Sequence, residues 1–125
     1  MRIVLCFLLA MVAAPAWAEW MKVSEDGNGV AYIEPTTIRK TGEFRKVWVL
    51  IDLKQKTSNG SLSMRGLWEF DCKEERNRVF SLSTHSGQMA GGIALTSGST
   101  APGDWSDTPP NTSARAILTR VCYKK

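Results

Sequence analysis

Few side chains in this sequence can do chemistry: three cysteines, a single histidine and five tryptophans among 125 residues. His85, in Ser83-Thr84-His85-Ser86-Gly87, is the only imidazole available as a general base. A nucleophile–base pair needs a hydroxyl within about 3 Å of that ring, and a carboxylate to orient its other nitrogen. Serines so close in sequence seldom reach that geometry, and no Gly-x-Ser-x-Gly elbow accompanies them. His85 therefore reads as an ordinary strand-end or loop histidine, with a small hydrolase or ligand carrier built on it and the nearby glycines as the lesser alternative. A zinc site lacks ligands, since one imidazole is left once two cysteines pair and zinc takes about four groups. Asp26-Gly27-Asn28-Gly29 has the start of a calcium loop without the distant bidentate glutamate, and reads as a plain turn. Gly91-Gly92 precedes no helical pattern, so no phosphate cradle is expected. The expectation is no catalytic residue, no metal and no cofactor.

The cysteines carry more information. Met1-Arg2 followed by the apolar run Ile3–Ala14, then Pro15 and the small-x-small site Ala16-Trp17-Ala18, has the form of a secretory leader. As a helix that run spans about 18 Å, short of a hydrocarbon core of about 30 Å. Cleavage after Ala18 is expected, leaving residues 19–125 as one domain with no integral membrane anchor. Cys6 lies deep in the leader and Glu19 follows the cut, so a lipid-modified cysteine is not expected. The destination is export, to the periplasm or to the cell surface and beyond.

Cys72 and Cys122 remain. In an oxidising compartment a single intrachain bridge is the expected outcome, with two buried thiols or a redox pair as the alternatives. No Cys-x-x-Cys is present to lower a thiol pKa. Net charge is +4 with signs interleaved, as in Asp71-Cys72-Lys73-Glu74-Glu75-Arg76. Opposite charges so close cancel beyond a Debye length of about 8 Å. The one-sided basic stripe of a nucleic-acid binder is missing.

The elements that must position these residues are mostly strands. Trp20–Val23 and Val30–Ile33 flank a Gly-rich turn. Phe44–Lys54 alternates, with Val47, Val49, Ile51 and Leu53 on one face and Lys46, Trp48, Leu50 and Asp52 on the other. Its centre is apolar on both faces, which suits a central strand. Ser61–Cys72 places Leu62, Met64, Gly66, Trp68, Phe70 and Cys72 together, and Arg78–Thr84 pairs Phe80 with Leu82 on its apolar face. Lys73–Asn77 reads as a charged turn, Gly92–Thr96 as a short strand, and Ser97–Pro110 as a long surface loop carrying Trp105. At the end, Ala114, Ile117, Leu118 and Val121 form one helical stripe that Cys122 continues, behind Thr112 as N-cap. Helix stripe and strand face thus each turn a cysteine toward a core. The count is about five to six antiparallel strands and one C-terminal helix packed on them, an α+β domain.

The run Ala31-Tyr32-Ile33-Glu34-Pro35-Thr36-Thr37-Ile38-Arg39-Lys40 after Trp20 resembles the opening of the surface-adhesin protein E-like family. So do Val47-Trp48-Val49-Leu50, the Glu69-Phe70-Asp71-Cys72-Lys73-Glu74-Glu75-Arg76 segment with Arg78, and the closing order Trp105, Pro109-Pro110-Asn111-Thr112, Cys122. The likeness covers about residues 20–122, and its most specific parts are the Asp-Cys-Lys-Glu run and the last cysteine. It implies a small antiparallel sheet with a C-terminal helix pinned by a Cys72–Cys122 disulfide, in an exported bacterial protein. It also implies attachment to host or matrix proteins. One departure is Thr112-Ser113-Ala114-Arg115, where the family has Ser-x-x-Glu. A cation replaces the reciprocal half of the capping box, at a cost of roughly a few tenths of a kcal/mol.

The functional expectation is an exported, non-enzymatic module with a protein partner. The alternative is a periplasmic accessory subunit of an envelope assembly. Trp105, in a Gly/Pro/Asp loop, is the foremost aromatic for an exposed contact, or else an anchor tucked onto the sheet; His85 is the second candidate on the binding surface. An unpaired edge strand leaves a homodimer open as well.

Overall fold

The structure is a computed structural model, described here for residues 19–99 and 102–123; the expected leader, residues 1–18, lies outside them. Its elements are β1 (Met21–Glu25), β2 (Gly29–Ile33), β3 (Arg39–Thr41), β4 (Phe44–Leu53), β5 (Ser63–Asp71), β6 (Arg76–His85), β7 (Ala94–Ser99), β8 (Ser106–Asp107) and α1 (Ser113–Tyr123). All strands join one antiparallel sheet. Its path is β1-β2-β4-β5-β6-β7, with β3 added beside one end of β4 and β8 beside the start of β6.

The sheet therefore has eight strands and not five to six. The six-strand path follows the alternating segments; the two additions do not. Arg39-Lys40-Thr41 is exposed along its whole length and Ser106-Asp107 is two polar residues long. Neither has an apolar face to betray it, and each is held by pairing alone. The Ser97–Pro110 loop is correspondingly shorter than expected, since β7 runs to Ser99.

β4 sits between β2 and β5, as its two apolar faces require. On one face of the sheet, Ala31, Ile33, Val47, Val49 and Phe70 close against Ile117, Leu118 and Val121 of α1, with Ile51, Trp68 and Cys122 packed at the margin. Thr112 caps the helix: its Oγ1 accepts from the Arg115 amide at 3.2 Å and its carbonyl from the Ala116 amide at 3.1 Å. The Cys72–Cys122 disulfide is formed, with its Cα atoms 5.7 Å apart.

A bulge interrupts the β5–β6 ladder. Leu67 lies opposite Ser81 while Trp68 lies opposite Val79, so Phe80 is the extra residue. The alternation of β6 changes phase there. Phe80 and Leu82, expected on one apolar face, part company: Phe80 joins the face away from α1, and Leu82, opposite Gly66, stays 40% exposed. Gly66 makes the bulge possible, because a Cβ at that position would stand 2.5 Å from the Ser81 carbonyl oxygen and 3.1 Å from the Trp68 indole nitrogen.

Candidate functional site

The face of the sheet away from α1 carries the chemistry. Alternation brings Phe44, Lys46 and Trp48 of β4 to it, and the ladder sets Asp71, Glu69 and Leu67 of β5 across from them. Arg76 and Arg78 of β6 stand directly opposite Asp71 and Glu69. The result is a row of cations over rings. Arg76 and Arg78 place their guanidinium carbons 4.4 and 4.2 Å from the centre of the Trp105 ring. Arg78 and Lys46 flank Phe80 at 5.2 and 4.2 Å, and Arg65 lies 4.6 Å from the Trp48 ring. Phe44 closes the row, its ring centroid 6.0 Å from that of Trp105.

The arginines are held from below. Arg76 Nε donates to Asp71 Oδ2 at 3.0 Å, and Arg78 Nη2 lies 2.7 Å from Glu69 Oε1. Asp71 and Glu69 are both buried. Burial opposes ionisation of Asp71, but the Glu74 amide, the Arg76 guanidinium and the Lys73 amide outweigh it and hold the carboxyl below its ordinary value.

Trp105 is half-buried and clamped over the two arginines, so it is the tucked anchor and not a free tip. His85 sits at the opposite end of β6. Its Nε2 is 2.8 Å from Ser83 Oγ, so the hydroxyl–imidazole distance that sequence proximity argued against is in fact reached: residues two apart on a strand share a face. Among the described residues no carboxylate bonds the other ring nitrogen, and Ser83 Oγ is also shared with the Arg65 carbonyl. Trp105 and His85 are not brought together. Among the described residues no cluster of three or more His, Cys, Asp or Glu side chains is gathered for a metal ion, and no helix is long and apolar enough to cross a membrane.

Sequence reading missed the row of cations. Sequence alone puts Arg76 in the charged turn and Lys46 on the second face of its strand beside Trp48, and their partners lie one strand away. The signal was present in two short alternations, Phe44-x-Lys46-x-Trp48 and Arg76-x-Arg78-x-Phe80. A second missed residue is Glu75, at the turn before β6 with φ of 53°. Its carboxylate accepts from Arg115 Nη1 at 2.9 Å and from the Tyr123 hydroxyl at 3.3 Å, and its carbonyl accepts from the Thr108 hydroxyl at 2.8 Å. The Arg115 guanidinium, followed by the Tyr123 hydroxyl, draws the Glu75 carboxyl below its usual range. The Glu75 carboxylate thus answers the Arg115 cation in the first turn of α1.

An eight-stranded antiparallel sheet with a disulfide-fastened helix on one face and a row of cations over rings on the other defines a small sheet-based scaffold. The sequence pattern of the surface-adhesin protein E family matches residues 20–123, and the chain belongs to that family. Its fold is similar to that of Haemophilus influenzae protein E in crystal form II, with a TM-score of 0.64 at 10% identity over 85% of this chain and 88% of that one. Protein E from non-typeable Haemophilus influenzae superposes with a TM-score of 0.60 at 11% identity, over 89% and 81% of the two chains. Comparison with curated proteins finds no match.

Proposed function

We propose that this chain is an exported, non-enzymatic adhesin that attaches to a protein surface outside the cell through the face of the sheet away from α1. The observation that carries this reading is the row Trp105, Arg76, Arg78, Phe80 and Lys46, which puts cations and rings side by side on the sheet. Aromatic and arginine side chains dominate the energetics of protein interfaces, and arginines already fixed by Asp71 and Glu69 lose little freedom on binding. The outer edge of β7, beside the exposed Ile93 and Leu95, is where a second copy would add a strand.

The test is attachment. Purified residues 19–125 are expected to bind at least one immobilised extracellular-matrix protein saturably, and Arg78→Ala is expected to weaken that binding about tenfold or more. No saturable binding to any matrix protein removes the reading. Protease treatment of intact cells separates locations: digestion of the protein supports attachment from the surface, and protection favours an accessory role inside the envelope.

A further inference from the structure

Three arginines on this face stand in cross-strand positions, and they are not equivalent. Arg76 faces Asp71 and Arg78 faces Glu69, so each guanidinium meets a carboxylate one strand over. Arg65 faces Leu50 on one side and Ser83 on the other. Among the described residues it makes no ion pair, and its Nε is enclosed without a hydrogen-bond partner. Asp52, on the same face of β4, accepts from the Met89 amide at 2.8 Å and makes no ion pair with Arg65. The ladder thus leaves one guanidinium without a counter-charge.

That guanidinium lines a hollow of about 340 Å³ together with Trp48, Ser81, Ser83 and Ser97, at the small end of the range for ligand sites. The hollow is bordered by β4, β5, β6 and β7, next to the Phe80 end of the row. Trp48 holds the guanidinium against its ring at 4.6 Å, which covers the flat side of the fork; with Nε enclosed, the two Nη groups are the donors left to a ligand. The serines add hydroxyls: Ser81 Oγ accepts from the Leu67 amide and keeps its O–H to donate, and Ser83 Oγ, engaged by His85 and the Arg65 carbonyl, keeps an acceptor site. A planar carboxylate is the natural complement of the fork, and a polyol that of the hydroxyl rim.

We infer that this hollow is a binding site for a saccharide bearing a carboxylate, with Arg65 pairing the carboxylate and the rim of Ser81, Ser83 and Ser97 taking the ring hydroxyls. The site adjoins the row but shares none of Trp105, Arg76, Arg78, Phe80 and Lys46, and neither reading depends on the other.

Isothermal titration of residues 19–125 with a disaccharide containing one glucuronate tests it, beside the neutral glucose disaccharide, a sulfated neutral disaccharide and a short glutamate-containing peptide. The glucuronate probe is expected to bind saturably and to quench tryptophan fluorescence, and the other three to bind about tenfold or more weakly by comparison. Arg65→Gln is expected to weaken binding by a similar factor. Ser97→Asp, at an exposed edge position that folding tolerates, is expected to do the same by supplying the missing carboxylate from within the chain. Undiminished binding in Ser97→Asp, or no saturable binding by the parent, overturns the site. Equal binding of the sulfated probe overturns the carboxylate assignment, and equal binding of the peptide overturns the saccharide. Arg78→Ala, which weakens protein attachment, is expected to leave disaccharide binding unchanged.

Discussion

The two faces of the sheet use the same strands for opposite purposes. Toward α1, alternate residues of β2, β4 and β5 are aliphatic or aromatic and disappear under the helix; Ile33, Val47, Phe70, Ile117 and Leu118 are wholly buried. On the other face Leu50, Glu69 and Asp71 are buried as well, but the cations and rings stacked over the two carboxylates remain partly wet. One side is specified by burial and a covalent link, the other by pairings across strands. Stability should therefore concentrate in the first and recognition in the second.

The largest expected effect lies on the helix side. Replacing both cysteines by alanine releases a loop of 50 residues, and the chain-entropy relation puts the loss at about 4 kcal/mol. Against a total of about 5–15 kcal/mol for a small domain, guanidinium unfolding should show a sharply lowered midpoint. A double variant as stable as the parent would mean that the apolar contacts alone hold α1.

A middle effect belongs to Asp71, which joins the two faces by lying beneath Arg76 and next to Cys72. Asp71→Asn should cost about 1–3 kcal/mol near neutral pH, as expected for a charge-assisted bond to a buried group. The sign of its pH dependence follows from the lowered carboxyl. Its folded pKa is below the unfolded value of about 3.9, so its contribution is present above that value and is lost as pH falls through the folded pKa. Parent and variant unfolding curves should therefore converge in acid; a constant gap at every pH would show that the cost is steric.

The smallest effect on stability is expected at the Trp105 end. Trp105→Ala removes two cation–ring contacts at a part-exposed site, which is worth about 1 kcal/mol. Thermal unfolding should move by only a few degrees. A loss as large as that of the disulfide would erase the division between the two faces.

The same division explains what could be read from sequence. The helix, its Thr112 cap and the disulfide came through because burial imposes a period along the chain, and the stripe ending at Cys122 and the alternation ending at Cys72 both record it. β4 was legible for the same reason. The Phe80–Leu82 reading failed where the bulge broke that period, and β3 and β8 carry none. The row of cations escaped because its order runs across strands: nothing in Arg76 or Arg78 alone says that Asp71 and Glu69 lie opposite, or that a tryptophan some thirty residues later folds back over both. Ser83 and His85 meet because the strand expected over Arg78–Thr84 runs on to His85, which puts both side chains on one face.

Glu75 ties these regions together. From one tight turn it grips the start of the helix through Arg115, its end through Tyr123, and through Thr108 the segment that brings Trp105 home. Traction on whatever Trp105 touches would pass along that segment to a joint three residues from a sulfur–sulfur bond, so the load would meet a covalent stop before it could peel the helix away.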